Sequence, residues 1–123
     1  MICYKVVKED NTSAFVTGKS YARKYQLGET VIAKKNTLGI FCFKDLLSVR
    51  KWCNPSSFKI LLVESMGEPL VPEVMCVCYR IRYLNSFYNH DKPKRSDRWK
   101  TNNVPQGTIC FPAVKVLDVV EYK

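Results

Sequence analysis

The chain has 123 residues, of which 46% are hydrophobic and 25% charged, a balance that excludes a long disordered chain and leaves enough apolar side chains for one core. Twenty Lys and Arg against eleven Asp and Glu give a net charge of +9, which favours polyanionic partners by raising local potential and association rate. No stretch approaches the roughly 20 apolar residues of a membrane span, and the opening MICYKVVKED lacks the basic start and apolar run of a secretory signal, so a cytoplasmic protein with reduced cysteines is expected.

Residues 2–8 read as a first strand closed by a polar turn at Glu9, Asp10, Asn11 and Thr12, with a short return strand over 13–17. Gly18, Lys19 and Ser20 break the pattern before residues 21–27, where Tyr21, Arg23 and Tyr25 share one parity. Gly28 and Glu29 turn the chain into a strand at 30–34, and this unit has the pattern of chain entering a small barrel or a strongly bent sheet.

Residues 38–64 predict a strand, a helix and a strand. Leu38, Ile40, Phe41, Cys42 and Phe43 form a short continuous apolar run, as in a strand buried on both faces. Leu46, Val49 and Cys53 then recur at helical spacing with Trp52 beside them; Asp45 suits the helix start and Arg50 and Lys51 its negative end. Asn54-Pro55 ends this main helix, at about 45–53. Phe58, Ile60, Leu61, Leu62 and Val63 form the second buried strand.

A loop from Met66 to Pro72 leads to the stretch VMCVCYRIRYLNSFYNHDKPKRSDRWK at 74–100. Met75, Val77, Tyr79, Ile81 and Tyr83 take one face of a two-residue period, and Cys76, Cys78, Arg80, Arg82 and Leu84 the other. Two guanidinium groups about 7 Å apart along one strand face offer a place for a flat anion. From 79 to 100, seven Lys and Arg stand against Asp91 and Asp97, a net +5 in 22 residues. Beyond it, Val104-Pro105-Gln106-Gly107 is a turn signal leading to strands at 108–111 and, past Pro112, at 113–122, with apolar parity at Val114, Val116, Val120 and Tyr122.

Catalytic and metal chemistry find little support. Cys76 and Cys78 point the same way on a strand, but a structural zinc wants four closed ligands and no second close pair exists, so no metal and no cofactor are expected. His90 is the single histidine; it lies in a polar loop beside Asp91, away from any cysteine, and a solvated role accounts for it. Glu64, Glu68 and Glu73 are explained as surface carboxylates. The five glycines stand singly, without a phosphate-cradling motif. The expectation is a binding protein and not an enzyme.

The basic stretch carries the functional expectation. Arg80, Arg82, Lys92, Lys94, Arg95, Arg98 and Lys100 supply phosphate contacts, and Tyr88 and Trp99 offer stacking surfaces for the bases of a single strand. Arg23, Lys24, Lys34 and Lys35, on neighbouring predicted strands, form a secondary basic patch. The glycine turn, the GIFCF strand at 39–43 and the single helix resemble small proteins of phages and other mobile elements, over roughly the first half of the chain, and the resemblance implies no activity. A looser similarity is to small β-barrel RNA-binding modules of the PUA type.

The sequence therefore predicts one α+β domain over 1–123: a small bent mixed or antiparallel sheet, or partial β-barrel, with one main helix. Its expected function is binding RNA or single-stranded nucleic acid. One alternative is a phage or mobile-element inhibitor that binds a host nucleic-acid enzyme or defence complex; another is a pocket that sequesters a phosphorylated nucleotide. No membrane partner is expected, and the sequence does not fix an oligomeric state.

Overall fold

Short apolar runs separated by turn residues condense into strands, and the described residues of the computed structural model form eight of them with one short helix. The structure describes residues 1–14, 22–35, 37–52, 58–72, 74–76 and 101–120, with only the backbone path for 74–76 and 101–103. In chain order the elements are β1 (Ile2–Val7), β2 (Thr30–Ile32), β3 (Ile40–Phe43), α1 (Leu46–Trp52), β4 (Lys59–Met66), β5 (Val74–Cys76), β6 (Thr101–Asn103), β7 (Thr108–Phe111) and β8 (Ala113–Val120).

Six strands form one sheet in the order β2-β8-β4-β1-β3-β7, and β5 pairs with β6 separately. Every pairing between the described strands is antiparallel, in line with the antiparallel form of the expected sheet. The sheet is open, with β2 and β7 as its edges. With a single seven-residue helix among the described residues, the architecture is mainly β with one helix, which bears out the expectation of an antiparallel sheet with one helix in this coarser form. The strand–helix–strand unit is present as β3, α1 and β4.

Alternation along β1 sorts the molecule into two faces. Cys3, Lys5 and Val7 turn inward, where Cys3 and Val7 join Val31, Ile40, Cys42, Leu61, Val63, Phe111, Val114, Val116 and Tyr25 in the larger core cluster. That cluster draws on both edge strands, β2 and β7, so the sheet curls around it. The other face carries a smaller cluster of Val6, Phe43 and Ile60 beneath Val49 of α1. The helix starts at Asp45, whose carboxylate accepts a hydrogen bond from the Ser48 amide at 2.7 Å, the usual means of satisfying an orphan helix donor. Hydrogen bonds from the Ser48 side chain and backbone hold the Asp45 carboxyl below its ordinary range. Trp52 closes the helix against Phe43, ring centroids 5.2 Å apart.

The curl has a covalent cause. β7 and β8 are separated in sequence by Pro112 alone, yet they lie at the edge of the sheet and next to its opposite edge. The chain must bend sharply there, and proline, with no amide proton to donate, interrupts the ladder at that point. The corner is held from both sides. The Ala33 amide donates to the Pro112 carbonyl at 2.8 Å, and Gly67 packs so closely on the Pro112 ring that a Cβ there would lie 2.4 Å from its Cγ.

A bulge changes the parity expected for the last strand. Leu62 faces Asp118 and Val63 faces Val116, which leaves Leu117 as an extra residue in β8. Val114 and Val116 accordingly point into the larger cluster, whereas Val120, paired with Ile60, packs on the helix side. The single apolar parity read from Val114 to Tyr122 ends at the bulge; Tyr122 lies outside the described residues, as do 15–17 of the expected second strand and Cys53 at the predicted helix end.

Two glycines with positive φ separate conformational from steric constraint. Gly39 (φ 105°) enters β3 so close to the facing strand that a Cβ would lie 2.7 Å from the Phe111 carbonyl oxygen, whereas around Gly28 (φ 82°) nothing lies within 4 Å. Gly28→Ala should cost the left-handed backbone penalty alone, about 1–2 kcal/mol. Gly39→Ala should lose more, with overpacking against backbone adding a further ~1–3 kcal/mol. Urea denaturation of both variants measures the difference, and equal losses would show that the β3 entry yields at no cost.

Candidate nucleic-acid interface

The basic segment is placed by its two ends. Arg80, Arg82, Tyr88, Lys92, Lys94, Arg95, Arg98, Trp99 and Lys100 lie outside the described residues, as do Cys78 and His90. The strands that bracket them are described: Val74 pairs with Asn103, Met75 with Asn102 and Cys76 with Thr101. The 24 residues from 77 to 100, with seven Lys and Arg against two Asp, therefore leave and re-enter the fold at one antiparallel stem.

The stem is tied to the main sheet on both flanks. Before it, Leu70 and Cys110 exchange two backbone hydrogen bonds of 2.9 and 2.7 Å across the outer edge of β7. The four residue steps from Leu70 to Val74 span at most about 14 Å, so β5 begins within that reach of β7. After the stem, the Thr108 amide and hydroxyl both donate to the Pro105 carbonyl, at 3.1 and 2.6 Å. The Lys44 amide donates to the Gly107 carbonyl at 2.9 Å, which joins this turn to the start of α1.

The secondary patch is described in full. Arg23 exchanges hydrogen bonds with Ser13: its amide donates to the Ser13 hydroxyl at 2.9 Å, and its carbonyl accepts from the Ser13 amide at 3.0 Å. Its Nε donates to the Ile32 carbonyl at 3.1 Å, which places the guanidinium on the free edge of β2. Lys34 and Lys35 follow two and three residues after Ile32, and the Thr37 hydroxyl fixes their turn by donating to the Lys34 carbonyl at 2.7 Å. Arg23, Lys34 and Lys35 thus come together at one end of β2. Lys24 instead forms a bridge with Thr12 and is exposed.

One cation was missed by the sequence reading. Lys5 is only 8% exposed; its ammonium donates to the Phe41 carbonyl at 2.8 Å and lies 5.4 Å from the centre of the Tyr25 ring, an attractive cation–π placement. The signal was its parity with Cys3 and Val7, which put it on the inner face. Tyr25 is held beneath it through Asn11, whose side-chain amide donates to the Tyr25 carbonyl at 2.9 Å while its own carbonyl accepts from the Tyr25 amide at 2.8 Å. Lys59 donates to the Asn11 side-chain oxygen at 2.8 Å.

Cys3, Cys42 and Cys110 are buried and free. Burial pushes the Cys110 thiol up to about 12. Hydrogen bonding with Cys3, and then burial, raises Cys42 well above the ordinary thiol range. Among the described residues, no group of three or more His, Cys, Asp or Glu is arranged to hold a metal ion, and no helix is long and apolar enough to cross a membrane.

Lys5 makes a test of what the interior requires. Its alkyl stem fills space inside the curl, and an apolar residue of similar length often replaces a buried charge at little cost. Lys5→Met should stay within about 1 kcal/mol of the parent, whereas Lys5→Ala, which leaves a cavity, should lose about 2 kcal/mol or more. Equal losses in a denaturation series would mean that the ammonium contacts, and not the stem, hold the site together.

No family model matches this chain, and no curated protein or solved structure is significantly similar to it.

Proposed function

We propose that this protein binds RNA or other single-stranded nucleic acid through the basic segment at 77–100. The observation that carries this reading is the β5–β6 stem, which closes the densest charge in the chain into one excursion tied to β7. A cationic segment held at both ends loses less conformational entropy on binding than one held at a single end. Phosphates would meet Arg80, Arg82, Lys92, Lys94, Arg95, Arg98 and Lys100, while Trp99 and Tyr88 stack on bases.

The end of β2 stands beside that surface as a separate basic patch. Ala33 is bonded to Pro112, two residues from the Cys110 that holds Leu70, so Arg23, Lys34 and Lys35 stand near the corner from which the stem departs. The bend at Pro112 also supports a finer description of the sheet as a partial barrel. Binding without chemistry, in a reducing cytoplasm, suits a chain whose described thiols are buried.

Salt dependence provides the test. With Lys92, Lys94, Arg95, Arg98 and Lys100 all changed to Gln, the slope of log K against log salt for a single-stranded oligonucleotide should fall by about 3.5 units, near 0.7 per lost contact. Trp99→Ala should weaken binding by about 1–3 kcal/mol with the slope nearly intact. If the five-site variant binds RNA and single-stranded DNA as tightly as the parent at two salt concentrations, the segment is a solvated surface and the proposal fails.

A further inference from the structure

A second surface, made only of described residues, stands apart from the basic segment. Ile32 on β2 and Met66 at the end of β4 both pair with Ala113 of β8. Directly opposed residues in antiparallel strands share a face, so these three side chains form one row across the sheet. They lie on the face opposite Val31 and Val114, which point into the core. The helix does not cover this end, because α1 packs over β1 and β3. Ile32 is 68% exposed and Met66 42%. Leu70 and Val71, 44% and 70% exposed, follow Met66 in the chain beyond Gly67.

The charges around this row are polarised. At the β2 end stand Arg23, anchored on the Ile32 carbonyl, and Lys34 and Lys35 just beyond. At the β4 end stand Glu64, which faces Lys115 across the pair, and Glu68; both carboxylates are exposed. Contiguous exposed apolar surface with a polar rim marks interaction sites. Its centre is aliphatic, without an aromatic ring to stack on a base, which argues for a protein occupant over a nucleic acid. The Arg23 bond to Ile32 blocks the β2 edge at that residue, which argues for docking on the face over strand addition.

We infer that the Ile32–Ala113–Met66 face docks an extended or helical segment of a partner protein that presents apolar side chains with a cluster of Asp or Glu at one end. The apolar side chains lie on Ile32 and Met66, and the acidic end meets Arg23, Lys34 and Lys35. This face is independent of the nucleic-acid reading and gives the chain a way to recruit, or to obstruct, a second protein.

The probe is a display library of random peptides, each about twelve residues, long enough to cross the face, selected on the full-length wild-type protein. Selected peptides are resynthesised with a fluorophore and titrated against variants by anisotropy. Enriched peptides should combine apolar positions with two or more acidic residues at one end. Their affinity should fall at least about tenfold, a 1.4 kcal/mol effect, both for Ile32→Asp and for Lys34→Glu with Lys35→Glu, and should hold in the five-site glutamine variant. Met66→Glu serves as a second apolar probe should Ile32→Asp prove unfolded in a thermal melt. The inference is overturned if no peptide is enriched, if enriched peptides lack acidic residues, or if these variants bind them unchanged. It is overturned equally if a single-stranded oligonucleotide displaces them, which would assign the face to nucleic acid. Self-association in sedimentation that Ile32→Asp abolishes would assign it to a second copy of the chain and also overturn it.

Discussion

The bend at Pro112 is the constraint on which the rest of the fold depends. A continuous antiparallel strand would carry residues 108–120 along one line, but the chain must serve β3 on one side and both β2 and β4 on the other. Proline breaks the ladder without leaving an unsatisfied amide, and the two halves diverge. Because they are covalently joined, the edges of the sheet are drawn toward each other around Tyr25, Val31, Phe111 and Val116. Among the described residues, a flat six-stranded sheet would leave one face uncovered, since the one helix described covers only the part over β1 and β3. Curling lets the inner face cover itself.

The same corner gathers the functional candidates. The end of β2 reaches it through Ala33, and the segment after β4 follows the bend from Met66, paired with Ala113, past Gly67 on the Pro112 ring to Leu70 on Cys110. Two consequences follow from one geometric event. Arg23, Lys34 and Lys35 come to the Pro112 corner through Ala33, and the apolar row of Ile32, Ala113 and Met66 is left on the outer face beside them. A nucleic-acid surface and a protein-docking surface on one corner would let a small chain bridge two macromolecules.

Much of the fold was legible because local pattern and tertiary need agree. The run at residues 40–43, the helix after Asp45 and the strands at 59–66 and 108–111 are each marked by periodicity, a cap or a turn signal. What was not legible depends on pairing between distant strands. Nothing local at Leu117 announces a bulge, which arises from the register of β4 against β8 and moves Val120 to the other face. The burial of Lys5 depends on Asn11 holding Tyr25 beneath it, 14 residues away in sequence. Strand order was equally hidden, since Pro112 signals an interruption and not which neighbours each half will find. At the candidate site, charge density and aromatic content could be read directly; that residues 76 and 101 pair could not, because composition carries no information about loop closure.

The most direct measurement is amide chemical-shift mapping of the labelled protein titrated with a short single-stranded RNA at moderate salt. The account predicts that perturbations concentrate in residues 77–100 and in the β5–β6 stem, while the exposed helix surface at Leu47 and the enclosed amides of β1 and β4 stay unchanged. Shifts confined to the helix face, or none in the stem and the basic segment at saturating RNA, would contradict it.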